Sequence, residues 1–228
     1  MSHRKYGLRA FGLCLMAALG LMSVTAMSAQ AVNTTLESGV VTTTNLPANA
    51  TLESAKATLD SEVLGGSIEV HCTTLATTGA VIKPGATGEA VLKFTGCETL
   101  LNHVASMVCL PKEPIESSVK LEGYLHNSEE YILVSPSNGT LKFTELKFDK
   151  EPGCSFGPNI EITGHAILQD CTKEGLVDKV KHLVEQIAGT THDLEGHKNA
   201  LKFGAKTMRL LGSAWIEMNT HNTWAFHT

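Results

Sequence analysis

The chain has 228 residues, 43% of them hydrophobic and 18% charged, and its 18 Lys+Arg against 23 Asp+Glu give a formal net charge of −5. An acidic balance excludes nucleic acid and anionic membrane as main partners, because both need clustered positive charge. The hydrophobic content suits a domain that buries about 70% of its unfolded surface, and no charged, weakly hydrophobic tract predicts a long disordered tail.

The first 31 residues have the layout of a secretory signal. Arg4, Lys5 and Arg9 supply the basic start, residues 10–24 form an apolar run, and Ala29-Gln30-Ala31 offers a small-x-small cleavage site. The run is shorter than the roughly 20 residues a spanning helix needs, and no basic stop-transfer segment follows. Cys14, within that run, reads as a signal residue. The expected organisation is a signal peptide over 1–31 and a single secreted β-rich domain over 32–228, with no integral membrane segment once the signal is removed. Loss of the three basic residues lowers Lys+Arg from 18 to 15 against 23 Asp+Glu, a net −8.

Val40 to Thr44 is a β-favouring run suited to an edge strand or a loose arm. Ala57, Leu59, Ser61 and Val63 alternate with charged or polar neighbours, and Gly65-Gly66 follows as a hairpin turn. Two further alternating segments each end on a cysteine, at Cys72 and Cys97, and the Pro-Gly-rich stretch 83–88 joins them. Residues 98–109 fit a helical turn or an irregular crossover equally. Val119 to Leu125 and Tyr131 to Val134 read as strands around a polar turn at 126–130. Asn138-Gly139 then marks a turn, and residues 141–148 read as the returning strand, with a bulge near Glu145. Residues 159–168 read as one strand. Leu176, Val177, Val180, Leu183, Val184 and Ile187 recur at helical spacing, while Val180, His182 and Val184 also alternate, so the pattern over 173–187 leaves helix and strand open. Ala200 to Phe203 and Met208 to Met218 close the series as strands. The predicted class is all-β, an antiparallel β-sandwich or flattened barrel with at most one or two short helices.

Cys72, Cys97, Cys109, Cys154 and Cys171 follow the expected cleavage site. In an exported chain these point to disulfides, and the odd number leaves one over. Cys97 with Cys109 and Cys154 with Cys171 are the pairs nearest in sequence, leaving Cys72 on the inner face of its strand. Four thiolates on zinc are the weaker alternative, since no Cys-x-x-Cys spacing is present.

The runs Phe94-Thr95-Gly96-Cys97-Glu98-Thr99, Leu125-His126-Asn127, Tyr131 to Pro136, Val177 to Leu183 and Leu211-Gly212-Ser213-Ala214-Trp215 resemble a recurrent group of signal-bearing exported bacterial proteins of unassigned function. The resemblance implies a bacterial, exported, mainly β protein, makes the segment 180–185 a strand, and supplies no catalytic residues. The spacing of Cys72, Cys97 and Cys109 also resembles that of small exported proteins described as activators of alkane oxidation.

His182, His192, His197, His221 and His227 crowd the end of the chain, where convergence with Asp178, Asp193 or Glu195 would suit zinc or copper. His-Glu-x-x-His is absent, as are Gly-x-Ser-x-Gly, Ser-x-x-Lys, a phosphate loop and Gly-x-Gly-x-x-Gly, so scattered histidines, no cofactor and no catalysis are expected. Glu129 and Glu130 read as solvated turn residues. Trp215 reads as core and Trp224 as a mobile end. Asn33, Asn49 and Asn138 match the glycosylation pattern, incidentally if the source is bacterial. These features predict a secreted or cell-surface structural, adhesive or interaction protein without catalytic activity, recognising a protein or cell-surface partner. The alternatives are a binding protein for an apolar or carbohydrate ligand, a hydrolase, or an exported activator of alkane oxidation.

Overall fold

The structure is a computed structural model, and it describes residues 30–31, 33–36, 39–40, 43–63, 66–126, 129–148, 153–172, 181–186 and 200–227. Residues 1–29 of the expected signal 1–31 and most of the ambiguous stretch 173–187 lie outside the described residues. The described strands are, in chain order, β1 (Gln30–Ala31), β2 (Asn33–Leu36), β3 (Gly39–Val40), β4 (Leu46–Leu52), β5 (Ala57–Val63), β6 (Gly66–Lys83), β7 (Thr87–Leu101), β8 (Val104–Ala105) and β9 (Ile115–His126). They continue with β10 (Glu129–Pro136), β11 (Lys142–Lys147), β12 (Asn159–Thr163), β13 (Ala166–Asp170), β14 (Lys181–Gln186), β15 (Leu201–Phe203), β16 (Lys206–Leu211), β17 (Ser213–Met218) and β18 (Trp224–His227). No described residue is helical, so the all-β expectation holds, and Lys181–Gln186 is a strand.

The architecture is a closed antiparallel barrel with a sheet attached. The ring runs β4, β6, β7, β9, β10, β13, β14, β17 and back to β4. Closure removes the sheet edges that would otherwise remain open for aggregation. From the lower half of β6 a second sheet continues through β5, β16, β15 and β12 to β11. β11 returns beside β9, where side chains replace a backbone ladder: the Ser117 hydroxyl donates to the Phe143 carbonyl, and the Thr144 hydroxyl donates to the Glu116 carbonyl at 2.7 Å. The strands β18, β2 and β3 form a small separate sheet, and β1 pairs with β9 at Leu125 and Tyr124.

Period-2 patterning explains the barrel. Even positions of β4, β7, β10, β13, β14 and β17 point inward, as do odd positions of β9. β6 changes parity at a bulge between Thr78 and Val81, so Leu75 and Ile82 both face the interior. Outward positions of β7 and β9 carry Glu89, Lys93, Glu116 and Lys120, water-facing chemistry opposite to that of a lipid-facing barrel. No described helix is long and apolar enough to cross a membrane.

Several elements differ from the sequence-based expectation. The segments ending at Cys72 and Cys97 are parts of one hairpin of 18- and 15-residue strands, turning at residues 84–86. Its register sets Cys72 opposite Cys97, and those two form a disulfide. The second bridge joins Cys109 to Cys154, and Cys171 lies outside both. The expected pairs Cys97 with Cys109 and Cys154 with Cys171 are therefore corrected, because strand register and not sequence proximity decides which sulfurs meet. With sequence separations of 25 and 45, the two bridges stabilise by about 3.5 and about 4 kcal/mol in the chain-entropy account.

Residues 98–101 extend β7, and Asn102-His103 turn the chain into β8. The strand after Asn138-Gly139 does not return onto β10, whose two edges are taken by β9 and β13; it pairs with β12 instead. Its register shift lies at Phe143, between Lys142 and Thr144. Residues 159–168 are two strands, because Gly164 adopts φ 101° where the chain crosses from the second sheet into the barrel. Gly212, at φ 134°, likewise separates β16 from β17.

A Cβ at Gly164 would stand 2.0 Å from the Ala200 carbonyl oxygen, so both backbone angle and space demand glycine there. Gly164→Ala is expected to destabilise the protein by about 3 kcal/mol, measured by urea unfolding. Non-reducing peptide mapping should return Cys72 linked to Cys97 and Cys109 linked to Cys154.

Candidate functional site

Inside the barrel lies a cavity of about 110 Å³. Leu75, Leu92, Leu168, Val184 and Ile216 form much of its wall, and Ala48, Ala50, Ala57, Ala80, Ala90 and Ala214 occupy the positions where larger side chains would close it. Ordinary cores are packed without voids larger than a water molecule. A space lined this way offers water almost no hydrogen-bond partners and favours apolar contents. It extends to the kink where the paired strands β4 and β17 become the paired strands β5 and β16, at Gly212.

One end of the barrel is plugged by a buried polar group. His182, two residues along β14 from the cavity-lining Val184, is fully buried with its ring 4.0 Å from that of Trp224. Its Nε2 stands 2.6 Å from the Trp224 carbonyl, which can only accept, so Nε2 donates. Its Nδ1 stands 2.6 Å from Asp170 Oδ2, and the Thr172 amide donates to Asp170 Oδ1 at 2.8 Å. Every polar atom of the plug thus has a partner. The expectation of Trp224 as a mobile end is corrected, since it is fully buried, while Trp215 on β17 is only half-buried. Polar neighbours at 221–223 concealed this, because the acceptor that fixes Trp224 faces a histidine 42 residues away.

A second polar string lies on the outer face of the attached sheet. Lys56 Nζ donates to His71 Nδ1 at 2.9 Å. Nε2 donates to Glu69 at 2.8 Å, and His103 pairs with the other carboxylate oxygen. Burial pushes the Glu69 carboxyl up, but hydrogen bonds from His71 and His103 outweigh it and hold the group below its usual range. This fixes the turn at Asn102-His103 onto β6, where the Ser67 amide also donates to Asn102 at 2.9 Å.

His221 is exposed on the turn before β18, and His182 pairs with Asp170. His192, His197, Asp178, Asp193 and Glu195 lie outside the described residues. Among the described residues no three His, Cys, Asp or Glu side chains gather as a metal site. Glu129 is exposed and accepts from Tyr131 at 2.6 Å and Gln169 at 3.0 Å; burial and that hydrogen bond raise the Tyr131 phenol well above its usual range. Glu130, expected in solvent, is buried, because its position on β10 faces inward with Ile132 and Val134. A ligand cavity was an alternative expectation from the sequence, and alanines at inward-facing positions of β4 and β7 carry its signal. Comparison with known proteins finds no family, no curated protein and no solved structure that matches the chain.

His182→Ala would strand the buried Asp170 carboxylate and the Trp224 carbonyl, with an expected loss of about 3–5 kcal/mol in denaturant unfolding. Because the folded-state value of Glu69 is depressed, its contribution is present above the ordinary value of 4.5 and disappears as pH falls through the folded value. Glu69→Gln should therefore be less stable than the parent at neutral pH and indistinguishable from it in strong acid, as read by thermal unfolding across pH.

Proposed function

We propose that this protein is an exported binding module that holds a small, uncharged, apolar molecule inside its barrel, without turnover. The single observation that carries the reading is the cavity of about 110 Å³ with an aliphatic lining. A space of that size forgoes packing contacts that a filled core would make. Larger residues at the inward alanines would recover those contacts, so a retained void is economical only if something occupies it. The wall offers few polar partners, which favours a hydrocarbon-like ligand over a carbohydrate. An apolar cavity of about 150 Å³ in another protein takes up benzene and xenon, which sets the scale: a small monocyclic arene or a short alkyl chain.

Export is supported by the signal layout of residues 1–31 and by two intramolecular disulfides, which suit an oxidising, extracellular-type environment. A second reading, an adhesive or interaction module, has its own support in the tip around β8. There Val104, Met107 and Val108 are exposed within five residues, and a contiguous apolar patch of this kind suits a partner's surface.

Benzene at millimolar concentration is expected to raise the melting temperature of the protein, and Ala214→Leu, which fills the cavity, should abolish that rise while keeping the fold. Absence of any shift, together with no bound xenon signal, would refute the reading.

A further inference from the structure

We infer that the ligand enters sideways, through the seam between β4 and β6, and that the Thr77 hydroxyl is the latch on that seam; this rests on reading the cavity as a ligand site. Antiparallel pairing between these two strands involves only Leu46 with Ile82 and Pro47 with Val81. Proline has no amide hydrogen to donate, so even this short ladder is incomplete. Beyond Pro47 the strands stay side by side without further ladder pairs. What joins them next is one long hydrogen bond, from the Ala50 amide to Thr77 Oγ1 at 3.3 Å. A side chain there stands in for a backbone ladder.

Three features coincide at that point. The β6 bulge lies between Thr78 and Val81, with Gly79 at φ 63° and open space around it. The paired strands β4 and β17 continue as the paired strands β5 and β16 beyond the kink at Gly212. Ala50, Thr77, Ala80 and Val81, which border the seam, all line the cavity. The cavity wall there is therefore a seam between adjacent strands that a side-chain hydroxyl, not a backbone ladder, holds. The other ring seams carry longer ladders, such as β9 with β10 and β14 with β17, and opening one of them would break several backbone bonds together. The end of the barrel at Trp224 is sealed by the buried His182 and Asp170 pair. A local opening needs the region with the fewest bonds to break, and among the described residues of the ring this seam has them.

Thr77 acts as a positioning residue, so its replacement should change exchange rate more than affinity. The test uses fluorobenzene with the full chain, its exchange followed by fluorine magnetisation transfer. Thr77→Val keeps the shape, removes the acceptor, and is expected to raise the exchange rate about tenfold with little change in affinity; Thr77→Ser should exchange like the parent. In the double variant Ala50→Cys with Thr77→Cys, oxidation across the seam should slow exchange at least tenfold compared with Thr77→Cys alone. If fluorobenzene binds but neither the Val substitution nor the cross-link changes its exchange, entry lies elsewhere and the seam proposal is overturned while the cavity reading stands. If fluorobenzene binds to none of these proteins, both are overturned.

Discussion

The hairpin of β6 and β7 belongs to two structures at once, and its register constrains both. Its upper half contributes two neighbouring staves to the barrel, while its lower half starts the second sheet through β5. The Cys72 to Cys97 bridge sits between these halves, on an inward face with Val70 and Phe94 nearby. A slip of one residue would turn every apolar side chain of a strand to the wrong face, in barrel and sheet together. The covalent cross-strand link forbids that slip. Inward positions change parity between Cys72 and Leu75, where the strand passes from sheet to barrel, and again at the bulge between Thr78 and Val81.

Stability and emptiness are opposed in this barrel. An unfilled space forgoes packing contacts, while the hairpin disulfide contributes about 3.5 kcal/mol. Cross-links outside the cavity offset what the alanines inside it forgo. The buried plug adds rigidity at one end, since a histidine with both ring nitrogens bonded and a carboxylate with both oxygens bonded leave little freedom. The wall is correspondingly weakest at the opposite kind of feature, a seam where strands meet without a ladder.

Much of the strand content was legible in the sequence, because alternation reports directly on a half-buried pleat. β5 and β9 follow it closely, with Leu59 and Val119 turned inward, while β10, read as an unbroken apolar run, is buried on both faces. What alternation cannot report is which strand lies beside which. The segment after Asn138-Gly139 looks like a returning strand, yet β10 had no edge left to accept it. Cysteine pairing failed for the same reason, although Cys72 and Cys97 lie almost symmetrically about the turn at Pro84-Gly85 and counting outward along a hairpin would have matched them. Gly164 and Gly212 looked like ordinary strand glycines, because the demand for their conformation comes from Ala200 and Ser54, distant in sequence. The candidate site was the least legible feature. A hole is made by small residues on several strands, and no single stretch of sequence shows it.

Ring closure brings together parts of the polypeptide that are synthesised far apart in time. β4 finds its partner β17 only after nearly the whole chain exists, and Asn49 bonds to Asn219 across a separation of 170 residues. Pairings of such range are slow, because the loop-closure entropy is spent before any contact rewards it. During that interval β4 is an unmatched edge able to template on a neighbouring molecule. The local β6 and β7 hairpin forms early and can be oxidised early, so the order of events on the way to the native state favours a protein made slowly, in dilute surroundings, where thiol chemistry and chain docking need not compete with aggregation.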